Sequence, residues 1–225
     1  MLRDERPFNF AALNNYAVDR TKGEVVCFLN DDTEVISGEW LAEMVGQLVQ
    51  PGVGAVGAKL YYEDGRIQHA GVVLGIRGVA GHSHRLFDRL SPGYSGHLQL
   101  AHRMSAVTAA CMVVRREAWE QVHGFDEQNL PIAFNDVDLC LRLQEAGWSL
   151  VWTPYAELFH RESISRGPDD VGPRADAFRR EAVYMEQRWG FDWLRQDPFY
   201  NPNLTLDAED FSLAWPPRVP LERGS

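Results

Sequence analysis

No run of apolar residues in this 225-residue chain approaches the length needed to cross a membrane. Its first residues, Met1-Leu2-Arg3-Asp4-Glu5-Arg6, lack the apolar core of a secretory signal. A surplus of positive charge is missing too. The formal net charge of −10 argues against a nucleic-acid partner, which normally meets a basic face. Cysteine is scarce: Cys27, Cys111 and Cys140 are odd in number, widely spaced and set in apolar sequence. That pattern speaks against a disulfide framework or a zinc site and predicts reduced, buried thiols in a cytoplasmic protein. Gly75, Gly78 and Gly81 do not sit between a strand and a helix, so a dinucleotide fingerprint is not supported. There is no internal repeat. Peripheral contact with a membrane, at the inner face of the plasma membrane, stays open.

What is present is core-forming material. Hydrophobic residues make up 45% of the chain and seven are tryptophan, enough for one substantial domain with a small appendage. The spacing predicts a short helix over 10–19 with Phe10, Leu13 and Ala17 inward, then a turn at Lys22-Gly23-Glu24. Val25–Leu29 is a continuous apolar run of the kind found in a parallel strand covered on both faces. A helix over Trp40–Leu48 stops at Pro51-Gly52, a strand follows over 53–60, and a hairpin element over 67–74 comes after the Asp64-Gly65 turn. The glycine-rich stretch 75–96, with His82 and His84, reads as a long mobile loop, the two histidines as its decoration.

Further on, 105–114 reads as a strand and 116–122 as a short helix. A helix over 136–146 has Asn135 placed to cap it and Gly147 placed to stop it. Leu150-Val151-Trp152 reads as a brief strand closed by Thr153-Pro154, and Ala175–Trp189 as a long amphipathic helix. The proline-bearing tail from Asp197 reads as irregular and surface-wrapping. The expected fold is therefore α/β, a mixed and mostly parallel sheet flanked by helices.

Three stretches carry residues able to do chemistry. Asn30, Asp31 and Asp32 follow the Val25–Leu29 strand, where α/β proteins present a divalent cation to a ligand. Strand alternation sends Asn30 and Asp32 one way and Asp31 the other, so Asp32 is the better ligand if Asn30 touches a nucleotide. The same three residues would also make an ordinary polar turn. Asp136 and Asp138 open a helix, where carboxylates are favoured by the dipole whatever else they do. Asp136 at an open helix mouth could take a proton from an attacking hydroxyl, while Arg142 one turn on pairs with Asp138. His160 is either a metal ligand or a structural histidine, and no third ligand has suitable spacing beside His82 and His84.

Taken in order and spacing, Phe8-Asn9-Phe10 with Asn14-Asn15, Leu29-Asn30-Asp31-Asp32-Thr33-Glu34-Val35 and Asp64-Gly65-Arg66-Ile67-Gln68-His69-Ala70-Gly71 are specific. So are Gly124-Phe125-Asp126-Glu127, Phe134-Asn135-Asp136-Val137-Asp138-Leu139-Cys140-Leu141-Arg142 and His160-Arg161-Glu162-Ser163. Over residues 8–166 the chain resembles the family 2 glycosyltransferases of GT-A fold, which are mostly inverting, and most of all the bacterial rhamnosyltransferase-like branch that builds cell-surface polysaccharides. The resemblance places the metal-binding DxD motif on Asn30-Asp31-Asp32, with Asn30 in place of the first Asp and Asp32 as principal ligand. It places the ED motif on Asn135-Asp136, with Asp136 as general base, and the late metal-binding histidine on His160. Asn135, Asp138 and Trp152 are then expected on the acceptor side, Trp152 by stacking on a sugar ring or as core.

The implied cofactor is Mg²⁺ or Mn²⁺. The implied partners are a nucleotide-sugar donor and a saccharide or lipid-linked saccharide acceptor. Family members begin with a strand–helix–strand unit that grips the nucleoside. Such a unit takes about 30 residues or more, and the stretch before Val25 is shorter and has no matching strand. The expected domain is accordingly an N-terminally incomplete GT-A unit over 1–170, with a C-terminal helix and tail over 171–225 packing on it and a partner chain as one source of the missing part. The alternative is a non-catalytic remnant that binds glycan or a partner chain.

Overall fold

The computed structural model describes residues 3–161 and 175–219. Glu162, Ser163 and the expected domain boundary at 170 lie outside them. Helix α1 (Phe10–Val18) starts at Asn9, whose side-chain oxygen accepts from the Ala12 N–H at 2.8 Å. Its inward face is Ala11, Ala12 and Val18, and Leu13 is exposed, one step around from the expected stripe. Strand β1 (Val25–Leu29) is followed by β2 (Thr33–Val35), α2 (Trp40–Leu48) and β3 (Val53–Tyr61). Short strands β4 (Ile67–His69), β5 (Val72–Leu74), β6 (Ala80–His82) and β7 (His102–Arg103) lead to β8 (Cys111–Arg115) and α3 (Arg116–Gln121). Helix α4 (Asn135–Glu145), the long strand β9 (Ser149–His160), α5 (Ala175–Trp189) and α6 (Phe191–Leu194) complete the order.

The main sheet runs β1-β8-β3-β9-β2, with β4 on β3 and β7 on β9. β1, β3 and β9 point the same way, but β8 lies antiparallel between β1 and β3. Only β3 and β9 form a parallel ladder among the described residues, so the sheet is mixed rather than mostly parallel. An apolar run reports burial and not the direction of its neighbour. Nor is β1 covered on both faces: Cys27 and Leu29 are exposed, and β1 forms a sheet edge. Cys111 and Cys140 are buried thiols as expected.

β3 is buried along its whole length. Val56, Ala58 and Leu60 meet Met44 and Leu48 of α2 on one face; Ala55 and Tyr61 join the larger core with Trp152 on the other. Gly57 is required there, because a Cβ at that position would stand 2.5 Å from the Val107 Cβ. β9 does not stop at Thr153-Pro154. It continues to His160 through a slip in register against Gly57 and Lys59, and Pro154, with no N–H for a ladder, falls inside that slip.

The stretch 75–96 is packed rather than mobile. Ile76, Val79 and His84 are buried, and β6 pairs with β5. The C-terminal tail fastens it: the Leu74 N–H donates to Asp197 Oδ2 at 2.7 Å and the Arg77 N–H to the Leu206 carbonyl at 2.9 Å. Tyr200, Leu204 and Leu206 of that tail sit in the core, so the tail is irregular but not superficial. The expected strand over 105–114 is a strand only from Cys111; the part before it crosses toward β5, with Ala106 bridged to Val72. No helix among the described residues is long and apolar enough to cross a membrane.

Candidate active site

The C-terminal ends of β1 and β9 and the N-terminus of α4 converge on an open cleft of about 320 Å³. Asn30, His82, Thr108, Asn135, Asp136 and His160 line it, with Phe134 and Phe178 as its apolar lip, 5.1 Å apart. Thus Asn30, Asp136 and His160, distant in sequence, share one cavity.

His160 ends β9, and its ring orientation is fixed from behind. The Gln68 amide donates through Nε2 to the His160 carbonyl at 3.2 Å, which leaves Gln68 Oε1 facing the ring Nδ1 at 2.7 Å. Nδ1 therefore carries a proton, and in the neutral ring Nε2 carries a lone pair. That lone pair lies 3.2 Å from Asn30 Nδ2 and 3.2 Å from Asp32 Oδ1. Asp32 Oδ1 is buried and has no hydrogen-bond partner among the described residues. The Asn30 amide can donate to that lone pair, which leaves the buried Asp32 oxygen as the group that calls for a proton or a cation. Ligand bonds of about 2.1 Å place adjacent ligands of an octahedral Mg²⁺ or Mn²⁺ about 3 Å apart, and a hydrogen bond from the far ring nitrogen is the usual support of a ligating histidine. Asp32 and His160 thus fit a divalent cation as two ligands; among the described residues there is no third His, Cys, Asp or Glu in the group. Asp31 is exposed and does not line this cleft.

Asp136 lies in the first turn of α4, whose N-cap is Phe134 in the left-handed region at φ 56°. Asn135 is not the cap: its amide donates to the Ile132 carbonyl at 2.8 Å, and the side chain is buried at the edge of the cleft. Gly147, at φ 92°, follows the helix end as the sequence suggests. Asp136 Oδ1 accepts from the Val137 N–H at 2.8 Å and Oδ2 from the Ala109 N–H at 3.1 Å. Burial pushes its carboxyl above the ordinary aspartate value, against the opposing pull of hydrogen bonds from Ala109, Thr108 and Val137. A carboxylate raised in this way and open to a cleft is suited to take up a proton.

Two expected acceptor-side residues are elsewhere. Asp138 is fully buried, held by Arg142 at 2.7 Å, Arg188 at 3.0 Å and the Trp189 indole N–H at 3.1 Å. Its partners leave it no oxygen for a saccharide, and the pairing with Arg142 is the expected one. Trp152 is likewise fully buried, its indole N–H on the Ala58 carbonyl at 3.1 Å, so neither ring face is open for stacking.

Other contributors escaped the sequence reading. Glu181 of α5 accepts from the Ala133 N–H at 2.6 Å and the Ile132 N–H at 3.2 Å, which holds the loop that presents Asp136. His82 is not loop decoration but part of the cleft wall, and His84 is buried between Ser83 Oγ and the Tyr94 N–H. Only the β5–β6 pairing brings His82 here, and no local signal marks it.

The family model described as glycosyl transferase family group 2 matches residues 25–196. The chain is 54% identical over 216 residues to the protein y4gI of Sinorhizobium fredii, covering 96% of this chain and 24% of that protein. It is 43% identical over 215 residues to the O-antigen biosynthesis protein RfbC of Myxococcus xanthus, covering 93% of this chain and 16% of that protein. The chain thus spans a quarter or less of these relatives. Among solved structures it is similar to GalNAc-T7 in complex with UDP, GalNAc and Mn²⁺, at a TM-score of 0.61 and 14% identity over 84% of this chain and 36% of that one. That likeness shows a GT-A fold. With three quarters of its length inside the family model, the chain belongs to glycosyl transferase family group 2.

Proposed function

We propose that this chain transfers a sugar from a nucleotide-diphosphate sugar to a hydroxyl of a saccharide or lipid-linked saccharide, with inversion at the anomeric carbon. The observation that carries this reading is Asp136, a carboxylate raised by burial, lining the same cleft as Asn30 and His160. Asp136 accepts the proton of the acceptor hydroxyl as that oxygen bonds to the anomeric carbon. The bond from that carbon to the diphosphate oxygen breaks on the opposite face, and the nucleoside diphosphate leaves with the electron pair. Asp32 and His160 would hold Mg²⁺ or Mn²⁺, whose charge offsets the negative charge gathering on the leaving oxygens. GalNAc-T7, with its UDP and Mn²⁺, supports the nucleotide and metal parts of the reading. RfbC, named for O-antigen biosynthesis, supports a place in cell-surface polysaccharide assembly.

Asp136→Asn tests the base. Loss of a positioned base costs roughly 10² to 10⁴-fold in rate, so kcat is expected to fall by at least a hundredfold while nucleotide binding persists. Unchanged turnover would refute the assignment of Asp136.

A further inference from the structure

One wall of the cleft holds a histidine pair that the transfer scheme above does not use. His69 ends β4 and His82 ends β6, and their Nδ1 atoms stand 2.8 Å apart with the rings nearly perpendicular. A contact that short requires one proton between the two nitrogens, carried by one ring and accepted by the other. Which ring carries it is settled farther back. The Thr108 backbone N–H donates to His69 Nε2 at 3.4 Å, and a backbone N–H cannot turn away. His69 Nε2 is therefore the lone-pair nitrogen, His69 Nδ1 bears the proton, and His82 Nδ1 accepts it. His82, a neutral ring with its Nδ1 committed, is left with one polar group, an Nε2–H, on the residue that lines the cleft. The same Thr108 hydrogen-bonds Asp136 through its side chain, so the chain of contacts ties the histidine pair to the carboxylate.

We propose that His82 is a binding residue whose fixed, uncharged Nε2–H donates to a hydroxyl oxygen of a sugar in the cleft, with His69 as the positioning residue that sets its tautomer. This rests on the glycosyltransferase reading above. An uncharged donor with one direction matches a hydroxyl oxygen; a diphosphate is matched by charge, which Asp32, His160 and their cation provide. Burial keeps both rings neutral, His69 well below the ordinary histidine value and His82 at about 4. The β5–β6 hairpin holds His82 in place, since a Cβ on the neighbouring Gly81 would stand 2.4 Å from Ile76 Cγ2.

Long-range ¹H–¹⁵N correlation spectra of the intact chain at pH 7 read the tautomers directly and need no turnover. The expected result is a protonated Nε2 on His82 and a protonated Nδ1 on His69, with His69→Gln retaining the His82 tautomer and His69→Leu mixing it. A protonated Nδ1 on His82 in the unaltered chain would overturn the relay. UDP-glucose, UDP-N-acetylglucosamine and dTDP-rhamnose, each with Mg²⁺, then probe a donor sugar, and methyl glycosides an acceptor sugar. The His82 Nε2 resonance is expected to move with a sugar that binds by calorimetry, and to stay put with UDP and Mg²⁺ alone. Movement with the methyl glycosides alone would place the contact on the acceptor. An unmoved resonance beside a bound sugar would refute the contact. In steady-state transfer, His82→Phe is expected to raise the KM of that sugar about tenfold, the worth of one hydrogen bond, and His82→Gln to restore most of it. A KM unchanged by His82→Phe would refute the contact as well. If none of these sugars binds, the glycosyltransferase reading fails and the contact with it, while the tautomer result stands by itself.

Discussion

Asp136 and Asp32 show what one carboxylate can be made to do by its surroundings. Burial raises the folded-state pKa of Asp136, so the folded chain holds its proton more tightly than the unfolded chain does. The stabilisation from that bound proton is full at low pH and is lost as pH rises through the raised value. The catalytic consequence has the opposite sense, because only the ionised form accepts a proton. The acid limb of the kcat profile is therefore expected at a higher pH than an exposed aspartate would give, and a limb at or below the ordinary value would contradict a buried base. At this scale the sequence was informative where function is local. Asn30, Asp136 and His160, which the motifs single out, line one cleft, and Asp32 lies 3.2 Å from His160. Asp31 and Asp32 sit in a turn rather than on a strand, so alternation does not govern them. Trp152 is core, the second of its two readings, and Asp138 is sealed in although its residue type suits a sugar site; only packing decides either. His82 and Glu181 carried no usable signal: His82 is set in the cleft wall by the β5–β6 hairpin, and Glu181 acts on the loop before α4 from a helix about 50 residues later.

Helices α4 and α5 act as a unit. Asp138 of α4 meets Arg188 and Trp189 of α5, and Glu181 of α5 holds the Ile132 and Ala133 N–H groups just before α4 begins. Removing the carboxylate of a buried ion pair leaves its cation uncompensated, a loss of about 3–5 kcal/mol. Asp138→Ala is thus expected to lower stability by about 3 kcal/mol, measured by denaturant unfolding. A change below about 0.5 kcal/mol would mean that Arg142 and Arg188 do not depend on it. The periodicities of Ala175–Trp189 and Trp40–Leu48 gave those helices at their observed bounds. β9 was cut short because proline normally ends a strand, and here a slip in register absorbs it. The 75–96 stretch was misjudged for a related reason: glycine content signals permissive backbone, not exposure, and the tail that covers it begins about 100 residues later in the chain.

At the level of the whole molecule, the exposed edge strand is the feature with consequences. β1 pairs with β8 on one side and has no ladder partner on the other among the described residues, with Cys27 and Leu29 exposed on it. Such an edge invites a further strand. Concentration-dependent self-association in sedimentation is expected, weakened by Leu29→Lys; a chain monomeric at all concentrations would show that the edge is protected. The alternating elements made the α/β class legible, whereas the antiparallel insertion of β8 was not, because strand order is set by long-range pairing.

The proposed transfer depends on a nucleoside diphosphate seating beside Asp32 and His160. Calorimetric titration with UDP and dTDP, with and without Mn²⁺ and with Asp32→Ala alongside, measures this directly. Nucleotide binding is expected to require Mn²⁺ and to be lost in Asp32→Ala. Absence of binding by the folded chain, or binding indifferent to both the metal and Asp32, would contradict it.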